Sequence, residues 1–513
     1  MRRRDALHLL GMAPFANLAR SLERQAAPAK PPDVEIVLTA APAEVSLLPG
    51  APTRVLQFRA KLVRGPADTV TAVPDSYLGP VLRLKKGQRV RIHFENRTGE
   101  SSIVHWHGLD VPERADGHPR LAVEHGRDYT HDFEVTNRAG TYWYHPHPHM
   151  RTAAQVYQGL AGLVLVSDPE EDALQLPSGA GELLCVLQDR RFDAKNQFVY
   201  LDAGQMGGMG RGRGMMGMGG GMGQMMATMN GWLGDRMLVS GRVQPAIDVD
   251  RRTYRVRLLN GSNSRFYKLA WSDESPITAI GNDGGLFERP RTMRTLTLAP
   301  GQRADVLLDL SSHAAGATVQ LRSVGFPAGH AGSVGMMGDT SPVPQGAPLT
   351  LMTLRVSNRQ GPRVAAPARL SSLDWRAQPA APVRRVPLTF MQMTWLLDGR
   401  TFDMAEVSAA ETVKAGSTQI WEIENQTNPM GMAMAHPIHV HGTQFRVLSR
   451  TGGSANALRD GIHDDGWTDT VLVLPGETVR AQLTFSRHPG LYLYHCHILE
   501  HEDMGMMRNL RIT

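Results

Sequence analysis

Three segments of the chain alternate apolar with polar residues and end in asparagine: Val90-Arg91-Ile92-His93-Phe94-Glu95-Asn96, Tyr254-Arg255-Val256-Arg257-Leu258-Leu259-Asn260 and Trp421-Glu422-Ile423-Glu424-Asn425. Period-two alternation of this kind predicts half-buried strands. The segments recur about 165 residues apart, and a fixed interval predicts equivalent structural units, here three. Other pieces repeat in step. Leu298-Ala299-Pro300-Gly301-Gln302-Arg303 parallels Leu474-Pro475-Gly476-Glu477-Thr478-Val479, and Gly140-Thr141-Tyr142-Trp143-Tyr144-His145-Pro146-His147 parallels Gly490-Leu491-Tyr492-Leu493-Tyr494-His495-Cys496-His497. Short strands separated by Gly and Pro turns predict an all-β chain of three β-sandwich domains.

A length of 513 residues accommodates three such domains. Their expected limits are 30–168, 169–358 and 386–513, with a Pro/Ala-rich linker at 359–385 marked by Pro362, Pro367, Pro379 and Pro382. One stretch, 205–230, breaks the β pattern. Met206, Met209, Met215, Met216, Met218, Met222, Met225, Met226 and Met229 alternate there mainly with glycine, a composition that predicts a mobile loop inserted in the middle domain rather than a helix. Residues 1–29 hold Arg2-Arg3-Arg4, a modest apolar stretch from Leu9 to Ala19, and Ala27-Pro28-Ala29. This resembles a twin-arginine export signal and implies a folded protein sent to the periplasm, although Ala6 stands where an aromatic is usual. The plain alternative is a basic disordered leader.

Charge and cysteine count add little. Half of the formal +6 lies in residues 1–29, and what remains is no electrostatic footprint for nucleic acid. No apolar run reaches the ~18 residues of a membrane span. Of the two cysteines, Cys185 lies in the strand-like run Leu183–Leu187 and reads as a buried free thiol if Cys496 is a metal ligand.

The chemistry is concentrated in the last strand. In Tyr494-His495-Cys496-His497 alternate side chains face opposite ways, so His495 and His497 share a face, roughly 6.6 Å apart, and Cys496 takes the other. One segment can therefore serve two metal sites. Cys496, His501 and Met506 supply three of the four ligands of a blue-copper site; Met504 and Met507 compete with Met506 on sequence alone. His436-Pro437-Ile438-His439-Val440-His441 has one histidine offset from a His-x-His pair, and two more pairs stand at His105/His107 and His145/His147. A single such pair is weak evidence. Four pairs hold more imidazole than one metal can use, and with the cysteine tail they point to several metal ions.

These motifs together resemble the multicopper oxidases, the laccase and cuprous-oxidase family, over essentially the whole chain after its first thirty or so residues. The resemblance implies three cupredoxin-like Greek-key sandwiches and four coppers per chain. By resemblance, His436, Cys496, His501 and Met506 hold the type 1 copper, and His105 and His439 the type 2 copper. The type 3 pair falls to His107, His145, His147, His441, His495 and His497, with His149 left outside. The first and third domains would face each other and the second would space them. Electrons from a donor would pass from the type 1 site through Cys496 to its neighbours and reduce O2 to water. Asp116 and Glu502 match carboxylates proposed to relay protons, and either could equally be a residue holding a histidine in place.

Among family branches the chain resembles the bacterial copper-efflux oxidases in its motif set, in His441-Gly442-Thr443-Gln444-Phe445-Arg446 and in its methionine content. Met434 matches that branch; Met432 replaces its acidic substrate-site residue, and the methionine-rich segment falls earlier in the chain. Thioether sulfur prefers Cu(I), so the loop methionines with Met432 and Met434 are candidate Cu(I) contacts. The expected protein is an exported, monomeric oxidase of Cu(I) and phenolic donors. Its rivals are a laccase with phenols or aromatic amines as main substrates, a copper nitrite reductase, disfavoured by four histidine pairs, and a copper-free exported scaffold.

Overall fold

The computed structural model describes residues 31–201, 225–332, 341–373, 375–427 and 434–513. The proposed export signal and the methionines at 206–222, 336, 337, 430 and 432 lie outside these residues. Among the described residues six sheets form three sandwiches. In the first, a four-stranded sheet (Val34–Val45, Thr53–Arg64, Arg89–Asn96, Asp128–Glu134) packs on a five-stranded one that contains Val104–His107 and Gly140–Pro146. The alternation is the reason: Val90, Ile92 and Phe94 point inward and meet Trp106, Tyr142 and Tyr144 of the facing sheet. The second sandwich has seven and five strands, and the third five and five. Non-consecutive strands lie side by side throughout, as Greek-key crossovers require.

The repeated asparagine-ended strand is the same object in all three. Arg89–Asn96, Thr253–Asn260 and Thr418–Asn425 each pair in parallel with one neighbour and antiparallel with the other. Each terminal asparagine is buried, and its amide donates to two backbone carbonyls: Asn96 to Glu100 and Val123, Asn260 to Arg265 and Leu298, Asn425 to Met434 and Val473. Carbonyls that leave a ladder at a strand end need such partners. The turn occurs in a third copy, with Lys86-Gly87 in place of Pro-Gly, that apolar patterning does not reveal. The backbone N–H of Lys85 donates to the side chain of Gln88, as Ala299 does to Gln302 and Leu474 to Glu477.

Two expectations need amendment. Residues 225–230, the end of the methionine-rich stretch, form a helix, because Met225-Met226-Ala227-Thr228-Met229-Asn230 contains no glycine. Met229 is wholly buried in the core of the third sandwich, with Met225 and Met226 packed at its edge, so the side chain of Met229 is core material and not an open thioether. Both cysteines are free and buried. Cys185 lies 3.9 Å from the Met352 sulfur, and burial pushes its thiol up to about 12. Among the described residues no helix is long and apolar enough to cross a membrane.

Candidate metal centre

Four strands, labelled in chain order, build the centre: β1 (Val104–His107), β2 (Gly140–Pro146), β3 (His436–Val440) and β4 (Gly490–Cys496). In the first sandwich β1 pairs with β2, which sets His105 opposite His145. In the third β3 pairs with β4, which sets His439 opposite His495 and Ile438 opposite Cys496. The two pairs meet across the interface between first and third sandwiches. Eight imidazoles, those of His105, His107, His145, His147, His439, His441, His495 and His497, are thereby buried together. Ring nitrogens of His105, His439 and His441 lie within 4.8 Å of one another, as do those of His147, His441 and His495, and of His105, His107 and His145.

Hydrogen bonding decides which nitrogen faces inward. The Nδ1–H groups of His105, His145, His439 and His495 donate to the carbonyls of Asp116, Pro146, Asp469 and Cys496, at 2.7 to 3.0 Å. A carbonyl only accepts, so Nδ1 carries the proton and Nε2 presents a lone pair. His441 is fixed likewise by the Asp116 carboxylate, 2.7 Å from its Nδ1. Inward Nε2 lone pairs then oppose each other, His105 to His439 at 3.4 Å and His441 to His495 at 3.1 Å, and His147 Nε2 also lies 3.4 Å from His495 Nε2. Lone pair against lone pair in a dry interior is unfavourable unless a cation lies between. Burial and the neighbouring imidazoles hold His105, His107, His147, His441, His495 and His497 well below the usual histidine range, and burial takes His145 down to about 3. These seven are therefore neutral and nucleophilic, which suits copper. The inner Nδ1 of His107, Nε2 of His145 and both nitrogens of His497 are buried without a protein partner, which fits ligands rather than core histidines.

A second site sits on the opposite face of β4. His436, Cys496 and His501 converge, with Cys496 Sγ 3.5 Å from His436 Nδ1 and 3.7 Å from His501 Nδ1. Met506 is fully buried beside them; its carbonyl accepts from the Cys496 N–H and its N–H donates to the His501 carbonyl. Met507 stands opposite His495 instead, and Met504 is only half-buried. Met434 is buried next to His436. His149 is exposed. Without a metal, burial pushes the Cys496 thiol up, so the proton must leave as metal binds.

Both candidate carboxylates touch the histidines. Asp116, pushed up by burial and then by Asp110, holds His441 through its side chain and His105 through its carbonyl. Glu502, on the helix Leu499–Asp503, has oxygens 3.2 Å from His495 Nδ1 and 3.5 Å from His147 Nε2; burial, then the Asp503 charge, pushes it up.

Three contributors escape sequence reasoning. Asp469 accepts from His107 Nε2 at 3.0 Å and lies within the His107–His439 group; its position before an apolar strand gives no hint. Burial would raise its carboxyl, but the paired Arg303 keeps it well below the usual range. Trp395 lies with its ring 4.6 Å from His436 and 5.5 Å from His501. The Met229 carbonyl accepts from both His501 Nε2 and Trp395 Nε1, at 2.9 and 3.0 Å, a contact between residues far apart in sequence.

Comparison with known proteins agrees with this geometry. Two multicopper oxidase family models match, one over residues 55–171 and the other over 376–513. A multicopper oxidase of Staphylococcus haemolyticus is 31% identical over 437 residues, 85% of this chain and 82% of that one. A laccase of Bacillus subtilis is 29% identical over 80% of each chain. The crystal structure of the McoA multicopper oxidase from Aquifex aeolicus superposes with a TM-score of 0.75 at 33% identity, covering 94% of this chain and 97% of that one. With relatives aligned along most of its length and paired imidazole lone pairs that call for cations, this chain belongs to the multicopper oxidase family, a family of three cupredoxin-like domains with copper as cofactor.

Proposed function

We propose that the chain oxidises Cu(I), and more slowly phenolic donors, at the site of His436, Cys496, His501 and Met506, and passes the electrons to O2 at the eight-histidine site. The observation that carries the Cu(I) reading is the cap. Residues 225–230, which end the methionine-rich stretch, lie against the third sandwich, and the Met229 carbonyl covers His501 Nε2. A planar phenol needs an open cleft at that imidazole edge to come into contact. A metal ion handed between thioethers needs only a line of soft donors.

Bound copper supplies the one-electron and O2 chemistry; the chain supplies geometry. β4 carries the Cys496 thiolate between two imidazoles of the other site, so the covalent path from one site to the other is one residue long in each direction. Carbonyl and carboxylate acceptors lock the tautomers, and the buried interface excludes water. Glu502, held up by burial, keeps a proton near His495 and His147, and Asp116 is placed beside His441 for the same task. In the same proposal the Arg2-Arg3-Arg4 leader exports the folded protein to the periplasm, where it would serve copper tolerance.

The test is steady-state O2 consumption by copper-loaded protein with Cu(I) or a phenol, before and after deletion of residues 205–224, which keeps the helix whose Met229 packs in the core and holds His501. The expected result is slower Cu(I) oxidation with phenol oxidation intact or raised. Unchanged rates with both donors would instead favour a laccase whose main substrates are phenols or aromatic amines, the activity named for the Bacillus subtilis relative.

A further inference from the structure

The middle sandwich carries none of the eight histidines, yet one of its turns, Ala299-Pro300-Gly301-Gln302-Arg303, reaches the cluster. Its backbone is fixed at Asn260, whose carbonyl accepts from Gly301 N–H and whose N–H donates to Gln302. At Gly301 φ is +84°, and a Cβ there would stand 2.9 Å from Cγ and Cδ2 of His497 and 3.1 Å from its Nε2. The turn therefore lies directly against an imidazole that has no hydrogen-bond partner among the described residues.

Two residues on, Arg303 is fully buried and engages every donor it has. Nε donates to the Thr141 carbonyl of the first sandwich, and Nη1 and Nη2 to the carbonyls of Gly301 and Asp283 in its own. The same two nitrogens form a fork on the Asp469 carboxylate of the third sandwich, at 2.8 and 2.5 Å. Asp469 Oδ1 in turn accepts from His107 Nε2, which leaves Nδ1 of that imidazole as its inner lone pair. Gln302 Nε2 donates to the Thr470 carbonyl beside it. A carboxylate that orients a metal-bound histidine through its outer nitrogen is a recognised device. Here that carboxylate is gripped by a planar guanidinium from a different domain.

We propose that this turn is a structural wall of the copper cluster, with Arg303 positioning His107 through Asp469 and Gly301 positioning His497 by contact. The middle domain then sets ligand geometry as well as spacing. The proposal rests on reading the eight imidazoles as the copper cluster.

Gly87 provides the matched control. It occupies the same turn in the first sandwich with φ +88°, and a Cβ added there meets nothing within 4 Å. Gly301→Ala and Gly87→Ala thus carry the same left-handed backbone strain, and only one of them presses on a ligand. Copper-loaded holoenzymes would be compared by copper-to-chain ratio, by the visible band of the thiolate site, by the near-ultraviolet band of the coupled pair, and by the electron paramagnetic resonance of the type 2 ion. Both variants should keep the thiolate band. Gly301→Ala alone should lose the coupled-pair band or bind the cluster coppers about 10- to 100-fold more weakly, with kcat falling and KM for the donor unchanged. Arg303→Lys, which keeps the charge but not the fork, is measured in parallel, so that poor folding of one variant leaves the other decisive; it should alter the same signals. Cluster spectra and copper ratios equal to those of Gly87→Ala in the folded variants would overturn the proposal. A wild-type chain that holds fewer coppers than the family requires would instead overturn the underlying cluster reading.

Discussion

Replacing Asp116 separates the two roles a carboxylate can play beside copper. Its Oδ2 lies 2.7 Å from His441 Nδ1, both groups are buried, and the Asp116 carbonyl independently holds His105. Asp116→Ala therefore leaves a buried N–H without an acceptor on His441 and leaves His105 untouched. A buried donor left without its acceptor costs about 1–3 kcal/mol. That corresponds to a factor of about 5 to 150 at ambient temperature, which overlaps the loss of about 10- to 100-fold seen when an outer partner of a metal ligand is removed. Asp116→Asn keeps an oxygen acceptor at the same place and loses only the charge. The assay is copper retention against a graded chelator, followed by the signatures of the coupled pair and of the type 2 ion, with O2 consumption across pH alongside. Asp116→Ala should lose the coupled-pair signal first and keep the type 2 signal. Asp116→Asn should keep both signals and show a lower kcat with an altered pH profile, as expected if the carboxylate moves protons. If Asn loses copper as readily as Ala, charge rather than hydrogen-bond geometry holds His441, and the orientation argument fails.

Further consequences can be checked more simply. Hydrogen bonds from Arg508, working against burial, hold Glu411 down at about 2, below its ordinary 4.5, so its stabilising contribution is present above about 4.5 and is lost as pH falls toward 2. Glu411→Gln, which leaves the buried Arg508 with only its longer 3.5 Å contact to the exposed Glu406, should cost about 3 kcal/mol at neutral pH, and urea unfolding at decreasing pH should show the gap to wild type closing over that window. Asn260→Ala removes the donor that two buried carbonyls share and the acceptor of the Ser262 N–H; a loss of about 2–4 kcal/mol is expected, and a change below about 1 kcal/mol in the denaturant midpoint analysis would refute the role given to the repeated asparagine.

The strand-like segments, the threefold repeat and the histidine pairs are legible along the chain because they depend on local periodicity. Alternation places residues on faces, and a strand that reads His-Cys-His must present sulfur one way and imidazole the other. The copper cofactor follows from the same residues, since soft sulfur and several imidazoles are the ligands that copper prefers. What pairs across domains is another matter. The contacts of Asp469 with His107, Arg303 with Asp469, Gly301 with His497 and the Met229 carbonyl with His501 join residues 166 to 362 positions apart, and no periodicity encodes them. The helix at 225–230 was hidden for a related reason: glycine dominates the stretch before it, and the helix is secured by burial of Met229 in another domain's core. Ligand identity is written in the chain as residue type and spacing, whereas the orientation of each ligand is decided only when three domains close on one another and their buried polar groups find partners.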